Sequence, residues 1–163
     1  MSFEQDKQLA VIGEFVVWNA LTKTKSIKEV FDVREDKRFQ SWDVDLLVKD
    51  SDMQVYMVEV KTDWMTFTTG NVIYEAESNG NTGCLERTRA DVIAYFVPQS
   101  GNIYLLRANK LRKLVRECSY PIVDMAMKNR GYKVPLSDCE RFGVLIRMIK
   151  TEPLPIEKKR EQI

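Results

Sequence analysis

The 163-residue chain contains no histidine. That absence excludes Ser-His-Asp and Cys-His catalysis, histidine-ligated zinc, and every nuclease design that uses a histidine base. Any enzyme chemistry must rest on carboxylates, lysine, tyrosine or a metal. Cysteine is scarce: three residues, at 84, 118 and 139, no two closer than twenty positions. This odd, wide spacing fits neither a disulfide framework nor a CxxC zinc site, and predicts free thiols in a reducing compartment. Long apolar runs are missing. The longest, Val92 to Val97, has six residues and stops at Pro98, too short to span a membrane. Residues 1–8 mix charges ahead of any apolar stretch, unlike a secretory signal. These features predict a cytoplasmic protein. Nor does one sign of charge dominate: 25 Lys and Arg against 24 Asp and Glu leave +1, which argues against a uniformly basic DNA-coating protein.

What is present points to an ordered domain. The composition is 44% hydrophobic and 30% charged, which suits a folded rather than a disordered chain. The length predicts one domain over residues 1–150. Pro153, Pro155 and the charged end give a loose tail over 151–163. Ser2 with Gln5 forms a capping box, and apolar spacing carries a helix from there to about Leu21, with Glu14 inside it. Val30 to Val33 reads as a short strand. Trp42 to Val48 and Gln54 to Lys61 read as a hairpin around Asp50-Ser51-Asp52. Strands follow at Val72 to Ser78, Val92 to Val97 and Ile103 to Leu106. A loop over 79–83 and a helical turn at Glu86 to Ala90 separate the first two. Asn109 to Arg116 is a basic amphipathic helix, and 119–136 reads as irregular. Ser137-Asp138-Cys139-Glu140 opens a helix that either runs to Lys150 or breaks at Gly143 before a strand, Val144 to Met148. The fold class expected is α/β, a mixed central sheet flanked by helices.

The hairpin carries the chemistry. Side chains alternate along a strand, so Asp43, Asp45, Leu47 and Lys49 share a face, as do Met57, Glu59 and Lys61. A loop of residues 50–54 sets Asp45 opposite Glu59 and Asp43 opposite Lys61. Trp42, Val44, Leu46, Val48, Tyr56, Val58 and Val60 form the other, apolar face. Converging carboxylates repel, and a hard divalent cation relieves the repulsion. Lys61 points into the same space, where it could orient or deprotonate an attacking water or stabilise negative charge. Glu14 lies within packing range. These are parts for metal-assisted phosphodiester hydrolysis. The same pattern also describes a solvated sheet face with cross-strand ion pairs, and periodicity alone favours that second reading.

Glu14, then Asp45-Leu46-Leu47, then Glu59-Val60-Lys61 resembles the PD-(D/E)XK nuclease superfamily. Further segments narrow the likeness: Gly70 to Ser78, Asn79-Gly80, Thr82-Gly83, Thr88, Ala90-Asp91, and Tyr132 to Ser137. Together they are similar to phage-type nucleases of the Holliday junction resolvase-like branch. The resemblance implies a restriction-endonuclease-like core in a bacterial or phage-infected cell. It implies Mg²⁺, with Mn²⁺ able to substitute, ligated by Asp45, Glu59 and the Val60 carbonyl. Lys61 becomes the catalytic lysine, and Glu14 the helix glutamate that supports the metal site. Val44 stands where the superfamily's name has proline. Between Asp43 and Asp45, the pairing with Glu59 favours Asp45.

DNA is the expected partner, and symmetric cutting implies a homodimer or higher homo-oligomer. Arg87, Thr88 and Arg89 follow the glycine-containing loop and could hold a phosphate, or form a surface turn. Lys110, Arg112 and Lys113, with Arg107 and Arg116, make a basic helix suited to tracking phosphates. Lys23 and Lys25 could do the same. Glu75 and Glu77 extend the acidic pocket if their strand adjoins that of Glu59, and otherwise form a salt-bridged edge. Trp64 and Phe67 fit a wedge into nucleic acid, or core or interface packing. The charge is segregated: residues 41–80 hold eight acids against two bases, and residues 81–116 hold seven bases against two acids. Alternatives to a junction-selective enzyme are a sequence-specific endonuclease of restriction or homing type, a non-catalytic nucleic-acid-binding module, and an interaction protein whose acidic patch meets a basic partner.

Overall fold

A computed structural model describes residues 3–125 and 129–155, with side chains from residue 7 onward. The Ser2–Gln5 capping box and the charged end beyond Pro155 lie outside what it describes. The chain folds as mixed α/β. A long helix α1 (Phe3–Thr22) is followed by strand β1 (Ile27–Asp32), a short helix α2 (Lys37–Gln40), and strands β2 (Leu46–Asp50) and β3 (Val55–Thr62). A short helix α3 (Met65–Thr69) leads to β4 (Asn71–Ser78), β5 (Asn81–Thr82) and helix α4 (Cys84–Arg87). Strands β6 (Val92–Val97) and β7 (Asn102–Arg107), helix α5 (Ala108–Glu117), β8 (Ile122–Asp124), β9 (Arg130–Pro135), helix α6 (Leu136–Arg141) and β10 (Leu145–Lys150) complete it.

Two sheets result. The first has the order β1-β2-β3-β6-β7-β10, and only the β3–β6 pair is parallel. The second is antiparallel, β5-β4-β9-β8. The β2–β3 register, Leu46 opposite Val58, is the one the hairpin spacing predicts, but the ladder ends there: Asp45 bonds the Val58 carbonyl instead of pairing with Glu59. The region 119–136, read as irregular, instead supplies β8 and β9. Their charged and apolar residues alternate only briefly, and β9 exists because β4, some sixty residues earlier, pairs with it. Of the two readings of the C-terminal region, the short helix and separate strand are correct. Gly143 has φ +65° and ends the helical path.

α1 lies close against the first sheet. A Cβ on Gly13 would sit 1.9 Å from Thr62 Oγ1, so only glycine permits this approach. Val17 and Leu21 then pack with Leu46, Val48, Val58, Val60, Ala94, Phe96 and Ile103. The opposite face of the sheet is not solvated. Ile93, Tyr95 and Leu106 pack there with Val72 and Tyr74 of the second sheet and Leu111, Leu114 and Val115 of α5. Val44 and Trp42 belong to this second cluster rather than to the α1 face. The alternation fails there because the backbone turns at Asp43, φ +49°, and regular strand begins only at Leu46. Tyr56, placed with the core by periodicity, is exposed at the rim.

A polar seam joins the sheets. The buried Tyr95 hydroxyl donates to Asp63 Oδ2 at 2.7 Å and accepts the Ile73 N–H at 3.0 Å. Thr66 Oγ1, also buried, lies 2.9 Å from the same Asp63 oxygen. The segment read as a tail is tied down at its start. Thr151 and Leu154 donate backbone N–H groups to the Gly101 and Pro98 carbonyls at 2.8 and 2.9 Å, and Leu154 packs on the α1 cluster. No helix among the described residues is long and apolar enough to cross a membrane.

Candidate functional site

The site forms where β2 and β3 stop pairing. One step beyond Leu46–Val58, Asp45 N–H still reaches the Val58 carbonyl at 2.9 Å. The next rung is made by a side chain: Asp45 Oδ2 accepts the Val60 N–H at 2.7 Å. In a strand, one residue's N–H and C=O point to the same side, so the Val60 carbonyl also faces Asp45. With Val58 and Val60 on the α1 face, Glu59 and Lys61 project to the opposite one. The second sheet covers that face, and Glu59 is 5% exposed. A solvated face of ion pairs is therefore not what forms around Glu59. Lys61 Nζ lies 2.6 Å from Glu59 Oε1, with a third of the lysine side chain exposed.

This burial sets the electrostatics. Desolvation raises the Glu59 carboxyl from 4.5 to about 7; Asp45 and Asp43 push the same way and Lys61 opposes them. Burial also raises Asp45, with a contribution from Glu14, against the Val60 N–H, Lys61 and Arg34. Burial lowers the Lys61 pKa, but the neighbouring Glu59, with a smaller contribution from Cys84, holds it above that of an ordinary lysine. Burial pushes Cys84 itself up to about 11, so it stays a thiol.

Glu14 reaches the same end of the sheet but is engaged elsewhere. Its carboxylate is ion-paired with Arg34, whose Nε also donates to Asp32 Oδ1 at 2.9 Å. Its charge bears on Asp45. Among the described residues, no three His, Cys, Asp or Glu side chains form a group that could hold a metal. Asp45 and Glu59 stand as a pair.

Asp43 does not face Lys61 across the hairpin, because it has left the strand. Its carboxylate takes a two-point hydrogen bond from Arg87, at 2.7 Å from Nε and 3.0 Å from Nη2. Thr88 is buried, and its hydroxyl contacts the Asp43 and Trp42 carbonyls at 2.7 and 3.2 Å. The Arg89 guanidinium sits 4.9 Å from the centre of the Trp42 ring. The three residues thus clasp the 42–43 turn. β4 does not adjoin β3, so Glu75 and Glu77 do not extend the pair in the way that adjacency would allow. Glu75 Oε1 accepts the Cys84 N–H at 3.2 Å, and Glu77 lies 3.8 Å from Arg130.

On α5, Arg112 is directed inward, donating to the Leu85 and Thr88 carbonyls at 3.0 and 2.5 Å. Lys110 and Lys113 are exposed, with Glu117 3.8 Å from Lys113. Lys23 and Lys25 are also exposed. Phe67 is exposed, while Trp64 is half-buried. Arg34, Cys84 and the Asp63–Tyr95 seam were not singled out from the sequence. Each gains its place through contacts distant along the chain, and none sits in a motif that would reveal it. A cavity of about 720 Å³, floored by Val48, Val58, Val92 and Leu105, contains none of Asp45, Glu59 or Lys61. Comparison with models of known families, with curated proteins and with solved structures finds no match to this chain.

Proposed function

We propose that the chain is a Mg²⁺-dependent DNA endonuclease, built on a restriction-endonuclease-like core, acting as a homodimer and selective for branched DNA in the manner of a Holliday junction resolvase. The observation that carries this reading is Asp45, which accepts the Val60 N–H at 2.7 Å beside the buried Glu59, with Lys61 2.6 Å from Glu59. A mixed sheet with α1 against one face supports the core assignment.

The donor set fits Mg²⁺. Two carboxylates and a carbonyl are hard oxygens, and this ion retains several waters, so few protein ligands suffice. Asp45, Glu59 and the Val60 carbonyl would hold it, and Mn²⁺ would substitute. Burial raises both carboxyls, and a bound cation would favour the charged form of each. When bound, the ion supplies positive charge at the scissile phosphate and makes nearby water more acidic. Lys61, kept as an ammonium by Glu59, donates hydrogen bonds to a phosphate oxygen as negative charge builds. Its role is charge stabilisation rather than proton removal. Glu14 acts on Asp45 through its charge. Lys110 and Lys113 remain outward-facing contacts for the phosphate backbone.

The test compares Mg²⁺-dependent cleavage of a four-way junction with that of a linear duplex carrying the same arms. The junction is expected to be cut preferentially, and Glu59→Ala and Lys61→Ala are each expected to abolish cutting. Equal or preferential cutting of the linear duplex removes the junction selectivity and leaves a sequence-specific endonuclease. Wild-type protein that cuts no DNA with Mg²⁺ or Mn²⁺ ends the nuclease reading.

A further inference from the structure

The geometry points to a ligand site on the face of the first sheet that α1 leaves open. Its ligand is a small amphiphilic anion, with an apolar body on the sheet and a carboxylate or phosphate on Arg107 and Arg147. The cavity of about 720 Å³ lies there. Its floor is Val48, Val58, Val92, Leu105 and Ile149, which all pack on the α1 side. Glu59 and Lys61 project from the other side of the same sheet, so the inference stands apart from the nuclease reading. The opening has a simple origin. α1 packs against β1, β3 and β6 and stops at Thr22. Leu21 is its last buried residue and forms one wall. Beyond it, Val92, Leu105 and Ile149 stay partly exposed. Aliphatic side chains left partly in water favour an apolar occupant, and the volume is within the roughly 300–1,000 Å³ of small-molecule sites.

Charge decides which apolar molecule fits. Arg147 of β10 pairs with Leu105 of β7, and Arg107 follows Leu105 by two, so all three share one face. Both arginines are exposed and line the cavity. Arg107 Nη1 donates to the Gly143 carbonyl at 3.2 Å. Among the described residues, neither guanidinium is ion-paired. Two like charges side by side, with no carboxylate between them, favour an anion. A guanidinium grips carboxylate or phosphate through two parallel hydrogen bonds. The other charged groups of the lining are engaged or distant. Arg112 donates to the Leu85 and Thr88 carbonyls, and Arg89 lies on the Trp42 ring. Asp91 Oδ2 accepts the Met57 N–H at 2.8 Å, and Asp50 Oδ1 accepts the Asp52 and Gln54 N–H groups, both at 2.9 Å. Asp52 sits in the β2–β3 turn, three strands from β7 and four from β10, which is about 14–19 Å. The acidic and basic rims thus face each other across the apolar floor, and an anionic head is directed to the arginines.

The experiment is calorimetric titration of the metal-free protein, without DNA, with decanoate, decyl phosphate, decyltrimethylammonium and inorganic phosphate. Decanoate and decyl phosphate are expected to bind at one site per chain, and the tighter of the two identifies the head group. Arg107→Ala and Arg147→Ala are each expected to weaken that binding about tenfold, the loss of one charge-assisted hydrogen bond. Arg38→Ala, which removes an exposed arginine on α2, is expected to bind like wild type. Shortening the chain from decanoate to octanoate is expected to weaken binding about tenfold as two buried methylenes are lost. Melting temperatures show that the variants are folded. Absence of binding by both decyl anions overturns the inference, as does wild-type affinity in both Arg107→Ala and Arg147→Ala. Decyltrimethylammonium binding as tightly as decanoate leaves only an apolar patch and also overturns it. Inorganic phosphate binding as tightly as decyl phosphate overturns it too, and makes the two arginines plain phosphate contacts.

Discussion

Glu59 should make the metal-free protein less stable as pH rises. In the fold its carboxyl titrates at about 7, against 4.5 for a free glutamate, because burial disfavours the charged form. Asp45 and Asp43 add to that shift and Lys61 reduces it. Between these two values the folded state keeps a proton that the unfolded chain has released. Stability is therefore fully present below the unfolded value and is lost as pH passes through the folded one. The Asp45 shift has the same sign. From pH 5.5 to pH 8 the Glu59 contribution falls by about 2 kcal/mol. For a domain of this size that corresponds to a melting temperature lower by about 4–8 °C. The assay is thermal unfolding in EDTA at the two pH values, for wild type and Glu59→Gln. The amide cannot ionise, so most of the difference should vanish in the variant. A wild-type melting temperature that does not fall over this range, or an equal fall in Glu59→Gln, refutes the assignment of a buried, proton-holding Glu59.

Tyr95→Phe removes the hydroxyl that joins Asp63 Oδ2 to the Ile73 N–H. It should cost about 1–3 kcal/mol, read as a lower urea midpoint, and a loss below about half a kcal/mol would show that the seam does not hold the sheets together. Lys110→Ala with Lys113→Ala should weaken binding to duplex and junction DNA alike and reduce the slope of log K against log salt by about two. An unchanged slope would remove α5 from the phosphate-binding surface.

Much of the first sheet was legible because it depends on local spacing. The loop of residues 50–54 fixes the hairpin register, and the alternating apolar residues of β3 fix which side meets α1. The strands at Val92 and Ile103 announce themselves by apolar content and the turn at Gly101. The second sheet was harder to read. β9 begins Arg130-Gly131-Tyr132-Lys133, a sequence with little strand character, and its pairing with β4 spans some sixty residues. Val44 and Asp43 were misplaced for a different reason: alternation assumes extended backbone, and Asp43 adopts a positive φ. Once the chain turns there, Val44 packs on the opposite side and Asp43 meets Arg87 instead of Lys61.

The same distinction explains why the pattern of Asp45, Glu59 and Lys61 supports two readings on the page of the sequence and fewer in the fold. Register and alternation determine that Asp45 and Glu59 converge. They do not determine whether the face carrying Glu59 meets water. On an open face the carboxylate would keep an ordinary pKa, its contact with Lys61 would be worth at most about 1 kcal/mol, and the lysine stem would be free to move. Here β4, α4 and α5 lie over that face, and Glu59 is nearly sealed. The cover raises its pKa, while Glu59 in turn keeps Lys61 charged beside it. The chemical character of the site is thus a property of the second sheet, although the carboxylates and the lysine come from the first.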